Sequence, residues 1–356
     1  MAGVKTKSES GDGERKLTII DVARHSQVSK STVSRVLNGS PHVASETRDR
    51  VLEAVSDLDF SASSAARGLR TTRSFLVGYL VPAINNDIFS RVAEVLEEDL
   101  RHEGVGLVIV SSGWDAAGER HGLQSLRDHR VDTLVLSLVN DRDAELAQVL
   151  SAIGRPVVLI DREIPGVKAD VVLTDLRIGV RKALEHLAEL GHRRVGIAHL
   201  SLDVRPGRQV SSAFVATVAT LGLEAVAEMT VPYNRVNRDF GAEIAERMLA
   251  AGATAIICAV PNTVTAGVLE YLDGRGISIP EDLSIIAMDE SELASVKRPL
   301  LTVMSRQIDS LAHHASRMVT SRLANPDLEP RVKVIPTSLQ TRASTAPPAV
   351  TALSVR

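Results

Sequence analysis

Lys30, Ser31, Ser34 and Arg35 fall within two turns of a helix that the pattern predicts over Lys30–Leu37, on the face away from Val33 and Val36. Short hydroxyls beside long cations suit one chemistry: donation to phosphate oxygens and to base edges in a major groove. The stretch Ile19–Val36 has the spacing of a helix-turn-helix that would present such a face. Ala23 is small where the two helices must cross, the turn lies around Gln27, and Val28, Val33 and Val36 fill the space between. From Arg15 to Gly39 five cations face Asp21 alone, and residues 1–73 carry net +3 on a chain whose total is −3. A mildly basic head on an acidic body fits a polyanionic partner.

Other chemistries find less support. The histidines at 102, 121, 129, 186, 192, 199, 313 and 314 include no His-Glu-x-x-His spacing, and His313 and His314 point in different directions on a helix. The single Cys258 excludes an internal disulfide and a thiolate zinc site. No Gly-x-Ser-x-Gly occurs, and Gly104-Val105-Gly106 lacks the third glycine of a dinucleotide loop. Neither an enzyme, a cofactor nor a metal site is expected. Aromatic residues at 3% are too few for a single-stranded nucleic-acid platform. With no span approaching the ~18 apolar residues of a membrane helix and no apolar signal core in the first 16 residues, the expected location is the cytoplasm.

The elements that position these groups change character along the chain. Residues 1–16 are polar and aperiodic, and read as a disordered lead. Over 17–61 helix signals are dense: Thr18, Ser29 and Ser45 are candidate caps, and the third helix places Val51, Leu52, Val55 and Leu58 on one face. Residues 62–74 hold a short fourth helix and a linker. From 75 to 345 apolar runs such as Leu76–Val81, Val157–Ile160 and Ala255–Ala259 alternate with amphipathic segments such as Ile88–Arg101 and Ile308–Leu323. Strands buried on both faces and separated by helices imply parallel sheets, and this length implies two α/β lobes. The chain from Thr345 through the 346–356 tail is expected to be loose.

Val28-Ser29-Lys30-Ser31-Thr32-Val33-Ser34-Arg35-Val36-Leu37-Asn38-Gly39 closely resembles the head of the LacI/GalR family of bacterial repressors. Val43–Arg48 is similar to the start of that family's third helix and Ala66–Thr71 to its hinge helix. Val157–Arg162, His186–Arg194 and Ile279–Asp289 match its core in order and spacing. The resemblance spans about residues 17–345. It implies a small all-α helix-turn-helix head on a two-lobed core like a periplasmic binding protein, a homodimer on a pseudo-palindromic double-stranded operator, and a small effector between the lobes. It assigns DNA contacts to Thr18, Ser29, Lys30, Ser31, Thr32, Ser34, Arg35 and Asn38, and, in the hinge, to Ser63, Ala66, Leu69 and Arg70. Leu69 takes the place of an apolar wedge that opens a base step. Effector contacts fall to Asp87, Phe89, Trp114, Asp161, Arg162, Arg208, Phe214, Asn262 and Asp289.

Departures from the family pattern are informative. Gln27 stands where the turn usually has Gly, so it must take positive φ. Ala62-Ser63 replaces a Pro-Asn pair ahead of the hinge. In the cleft, Val210 ahead of Ala213-Phe214 replaces an Arg, and Pro261-Asn262 replaces an Asn-Asp pair. Both groups that would grip sugar hydroxyls are therefore missing from their places. The expected effector is a larger, sugar-derived or anionic molecule that draws on Arg162, Arg205 or Arg208, with Asp161 and Asp289 accepting. The alternatives are control by a protein corepressor, the absence of any effector, or a cytoplasmic small-molecule-binding protein.

Overall fold

The computed structural model describes residues 17–37, 42–58, 73–296 and 298–349. The chain divides between Ser74 and Phe75 into two compact units.

The first unit holds α1 (Ile19–His25), α2 (Lys30–Leu37) and α3 (Ser45–Asp57). Local hydrogen bonds fix where each begins. The Asp21 carboxylate accepts from the Thr18 backbone N at 2.8 Å and from its Oγ1 at 2.7 Å, closing the entry to α1. Ser29 Oγ accepts from Thr32 N at 3.1 Å and starts α2. Between the two, Gln27 does take positive φ, at 54°. Ala44, not Ser45, is the cap residue of α3. Leu52 is exposed, and the buried face of α3 is Val51 and Ala54, which close a small core with Val22, Val33 and Val36.

The second unit contains two sheets. In chain order come β1 (Leu76–Val81), α4 (Asp87–His102), β2 (Gly106–Ser111), α5 (Ala116–Asp128), β3 (Thr133–Leu136), α6 (Ala144–Ala152), β4 (Val157–Ile160) and β5 (Asp170–Asp175). Next are α7 (Leu176–Glu189), β6 (Arg194–Leu200), α8 (Arg205–Leu221), β7 (Glu224–Val231), α9 (Arg238–Ala250), β8 (Ala255–Ala259), α10 (Asn262–Gly274), β9 (Ser284–Met288), α11 (Glu292–Val296) and β10 (Thr302–Ser305). The chain ends through α12 (Ile308–Ala324), β11 (Val332–Pro336) and β12 (Ser338–Gln340). The first sheet runs β11-β5-β4-β3-β1-β2, all parallel. The second runs β12-β10-β9-β8-β6-β7, parallel except for β12.

Alternation along the strands puts apolar side chains on both faces, as a sheet covered by helices on each side requires. In the first sheet Val77, Tyr79, Val135 and Ile160 lie beneath α4 and α12, whereas Leu80, Leu134, Leu136 and Leu159 face the other side. Helices α9 and α10 cross at two glycines. A Cβ on Gly267 would stand 2.0 Å from the Arg238 carbonyl oxygen, and one on Gly241 2.1 Å from that of Val264. Backbone cannot yield as a side-chain tip can, so Gly267→Ala is expected to destabilise the protein by about 2–3 kcal/mol. Urea unfolding checks this, and an unchanged midpoint would contradict the packing.

Three segments join the lobes: Asp175–Leu176, Arg306–Gln307 and Thr337. They are tied to one another. Thr337 Oγ1 donates to the Asp175 carbonyl and accepts from Gly179 N, both at 2.7 Å, and Gln307 Nε2 donates to the Pro336 carbonyl at 3.2 Å. Thr345 and Ala346, at the start of the stretch expected to be loose, are anchored. Thr345 Oγ1 lies 2.9 Å from His186 Nε2, Ala346 N donates to Ser284 Oγ at 3.1 Å, and the Ala346 carbonyl accepts from His192 Nε2 at 2.9 Å. Burial holds both histidines below the usual imidazole range.

Candidate functional site

On the head, Lys30, Ser31 and Arg35 are exposed and Ser34 is half-buried, while Val33 and Val36 turn inward. Ser29, Lys30, Ser31, Ser34 and Arg35 together border one shallow surface concavity. Ser29 Oγ lies 2.7 Å from Ser31 Oγ and 2.8 Å from Thr32 Oγ1, so these hydroxyls hold each other in fixed rotamers. Thr18 is engaged by Asp21 at the helix entry. Asn38, Ser63, Ala66, Leu69 and Arg70 lie outside the described residues.

In the second unit the carboxyl ends of the strands from both sheets face one cleft, as open α/β sheets dispose their ligand sites. Its empty space, with the solvent at the mouth included, is about 570 Å³. The first lobe contributes Asn86, Phe89, Trp114, Asp161 and Arg162, and the second contributes Val210, Val260, Pro261 and Met288, with Arg306 from a linking segment. Asp161, Asp289 and Trp114 have φ of 52°, 65° and 62°, a conformation tolerated where surrounding contacts enforce it. Trp114 N donates to the Pro82 carbonyl at 3.1 Å. Its ring stacks on Tyr233 of the second lobe, centroids 5.7 Å apart and planes within 17°. Asn262 Nδ2 donates to Asp87 Oδ2 at 2.6 Å, a polar bridge between the lobes.

Three of the four charges of the cleft are paired with one another. Arg306 Nε donates to both carboxylate oxygens of Asp289 at 2.9 Å, and its Nη1 lies 3.6 Å from Asp161 Oδ2. Burial alone would favour loss of the Arg306 proton, but the two aspartates hold it charged. Asp161 also accepts from Thr174 N at 2.6 Å and from its Oγ1 at 2.9 Å. Arg162 donates to the carbonyls of Leu138 and Asp161. The Tyr79 and Tyr233 hydroxyls are buried without a hydrogen-bond partner, and burial pushes both phenols above their usual range.

Of the expected cleft residues, Asp87, Asn262 and Asp289 do not line the cleft themselves, although Asp289 holds Arg306, which does, and two others are elsewhere. Phe214 is fully buried inside the second lobe, one helical turn beyond Val210 on α8, and packs in that lobe's core. Arg208 faces a separate groove with Glu163, Arg177 and Val332; its Nη2 pairs with Asp141 at 2.8 Å and its Nη1 donates to the Leu202 carbonyl at 3.0 Å. Arg205 borders the same groove, paired with Glu163 at 2.8 Å and donating to the Thr174 carbonyl at 2.9 Å. These pairs clasp the lobes and leave neither guanidinium in the cleft. Arg306 was missed by sequence reasoning because it follows β10, a short strand that no apolar run marked. Among the described residues no group of three or more His, Cys, Asp or Glu side chains could hold a metal ion, and no helix is long and apolar enough to cross a membrane.

The sequence profile described as bacterial regulatory proteins, lacI family, matches residues 18–63, and that of the periplasmic binding protein-like domain matches 184–345. The ribose operon repressor of Haemophilus influenzae is 30% identical over 326 residues, covering 89% of this chain and 95% of the relative. The chain belongs to the lacI family of bacterial regulatory proteins. The HTH-type transcriptional regulator GalR of Escherichia coli is 28% identical over 337 residues, covering 94% and 97% of the two chains. A lac repressor dimer bound to operator and the anti-inducer ONPF superimposes with a TM-score of 0.80 at 21% identity, over 93% of this chain and 100% of the other, a likeness of fold. The regulator is thus a DNA-binding transcriptional regulator, with an all-α helix-turn-helix head and a two-lobed α/β core.

Proposed function

We propose that this regulator acts in the cytoplasm as a homodimeric repressor without catalytic activity. It reads a pseudo-palindromic duplex of about 14–20 base pairs, and its affinity for that duplex is set by a small molecule between the lobes. The observation that carries this reading is the exposed row of Lys30, Ser31 and Arg35 on α2, backed by the buried Val33 and Val36. One such helix spans a half-site, and a two-fold axis supplies the other. Leu69 opens the central step from the hinge. In the core, a ligand that meets both lobes across the cleft favours one lobe arrangement over another. That difference alone can change operator affinity.

Selection from a random duplex library tests the reading: it is expected to return two inverted half-sites, and recovery of only asymmetric or single-stranded ligands would refute it. On the selected operator, Arg35→Ala is expected to lower specific affinity by roughly 1–3 kcal/mol, measured by salt-controlled titration. An unchanged titration would remove Arg35 from the interface.

A further inference from the structure

The chemical class of the cleft's occupant can be inferred from its lining, on the reading above that the inter-lobe space is an effector site. Its polar lining side chains already have partners inside the protein. Asn86 Oδ1 accepts from Ile88 N at 3.2 Å, Asp161 is held by Thr174, Arg162 is spent on two carbonyls, and Arg306 is clamped on Asp289. The formal charges of Asp161, Arg162, Asp289 and Arg306 sum to zero, so an entering anion would leave the cleft with a net negative charge. Around them the walls are apolar. Phe89 and Trp114, centroids 6.4 Å apart, face Val210, Val260 and Met288.

A free sugar carries a hydroxyl on nearly every ring carbon. With few partners left in the walls, each hydroxyl would give up water without return. A flat ring loses little water on entry and lays its faces on aromatic, valine and methionine surface. Asn86 Nδ2 and Arg162 Nη2 are the donors that remain, and they suit one acceptor on one edge of such a ring.

We infer that the cleft takes a neutral, flat, ring-shaped molecule with a carbonyl-like acceptor on one edge, in preference to a free sugar or a small anion. Because Trp114 is the only tryptophan of the chain and lines the cleft, its emission reports occupancy directly. The test titrates the full-length protein with four probes, benzamide, benzoate, ribose and glucose, following Trp114 emission and the thermal midpoint together. Benzamide is expected to act at concentrations about tenfold or more below each of the other three. Saturation by ribose or glucose at lower concentration, tighter binding of benzoate, or silence toward all four probes would each overturn the inference. A parallel operator titration on the same sample separates the two readings: intact operator binding with any of these outcomes sinks the ligand class alone, and lost operator binding sinks the proposed function.

Discussion

Replacing Arg306 by methionine is expected to lower the unfolding free energy of the protein by about 3–5 kcal/mol, although the new side chain fills much of the same volume. The guanidinium neutralises Asp289 and Asp161, whose side chains are only 7% and 3% exposed. Without it two carboxylates lose the cation they share in a poorly solvated cleft, and neither can recover the water lost on folding. Urea unfolding of the two proteins at neutral pH measures the difference. The double variant Arg306→Met with Asp289→Asn is expected to recover a substantial part of the loss, because one of the stranded charges is then gone. A single variant within about 0.5 kcal/mol of the parent would mean that the pair is not formed in solution.

The second large effect has the opposite sign. Glu119 on α5 is 3% exposed and accepts from Val139 N at 2.5 Å. Burial pushes its carboxyl up to about 7 from the ordinary 4.5, against the pull of the Val139 amide and of Arg162, with Asp143 adding to the rise. A carboxyl whose folded value lies above its unfolded value favours folding at low pH, and that advantage is lost as pH rises through the interval between the two values. The interval here runs from about 4.5 to about 7. Glu119→Gln keeps the acceptor for Val139 and cannot ionise. It is therefore expected to equal the parent near pH 4 and to exceed it by about 3 kcal/mol at pH 8. Parallel stability curves for the two proteins across pH 4–8 would rule out a buried, neutral Glu119.

What the sequence disclosed follows the range of the interactions involved. The head was legible because its signals are local: Ser29 sits three residues from the amide it caps, and Val33 and Val36 mark the inner face of their own helix. The two-lobed α/β plan was legible from the long apolar runs. Strands β5, β7, β10, β11 and β12 were not, since β10 and β12 are short and β7, β11 and β12 lie at sheet edges where half the side chains face water. In the cleft, Asp161 and Asp289 were found by their place in a motif. Their neutralisation by Arg306 depends on a linking segment arriving from elsewhere in the chain, which no local pattern encodes. Phe214 and Arg208 were misplaced for a related reason. Helical spacing puts Val210 and Phe214 on one stripe, but only the tilt of α8 decides that Val210 borders the cleft and Phe214 lies in the core.

The strand order of the first sheet bears on how the protein is made. Its edge partner β11 pairs Val332 with Val171 and Val334 with Leu173, and Asp170 receives Arg322 and Arg331. Those residues leave the ribosome only after most of the second lobe has been synthesised. Throughout that time the nascent first lobe lacks α12 and β11, with an unpaired apolar edge at β5 and a carboxylate at Asp170 that has no cation beside it. Neither lobe reaches its final form ahead of the other, because β12 of the second also follows β11. Each lobe can complete its sheet only once its own late strand has emerged, and until then the growing chain offers a chaperone an open sheet edge to guard.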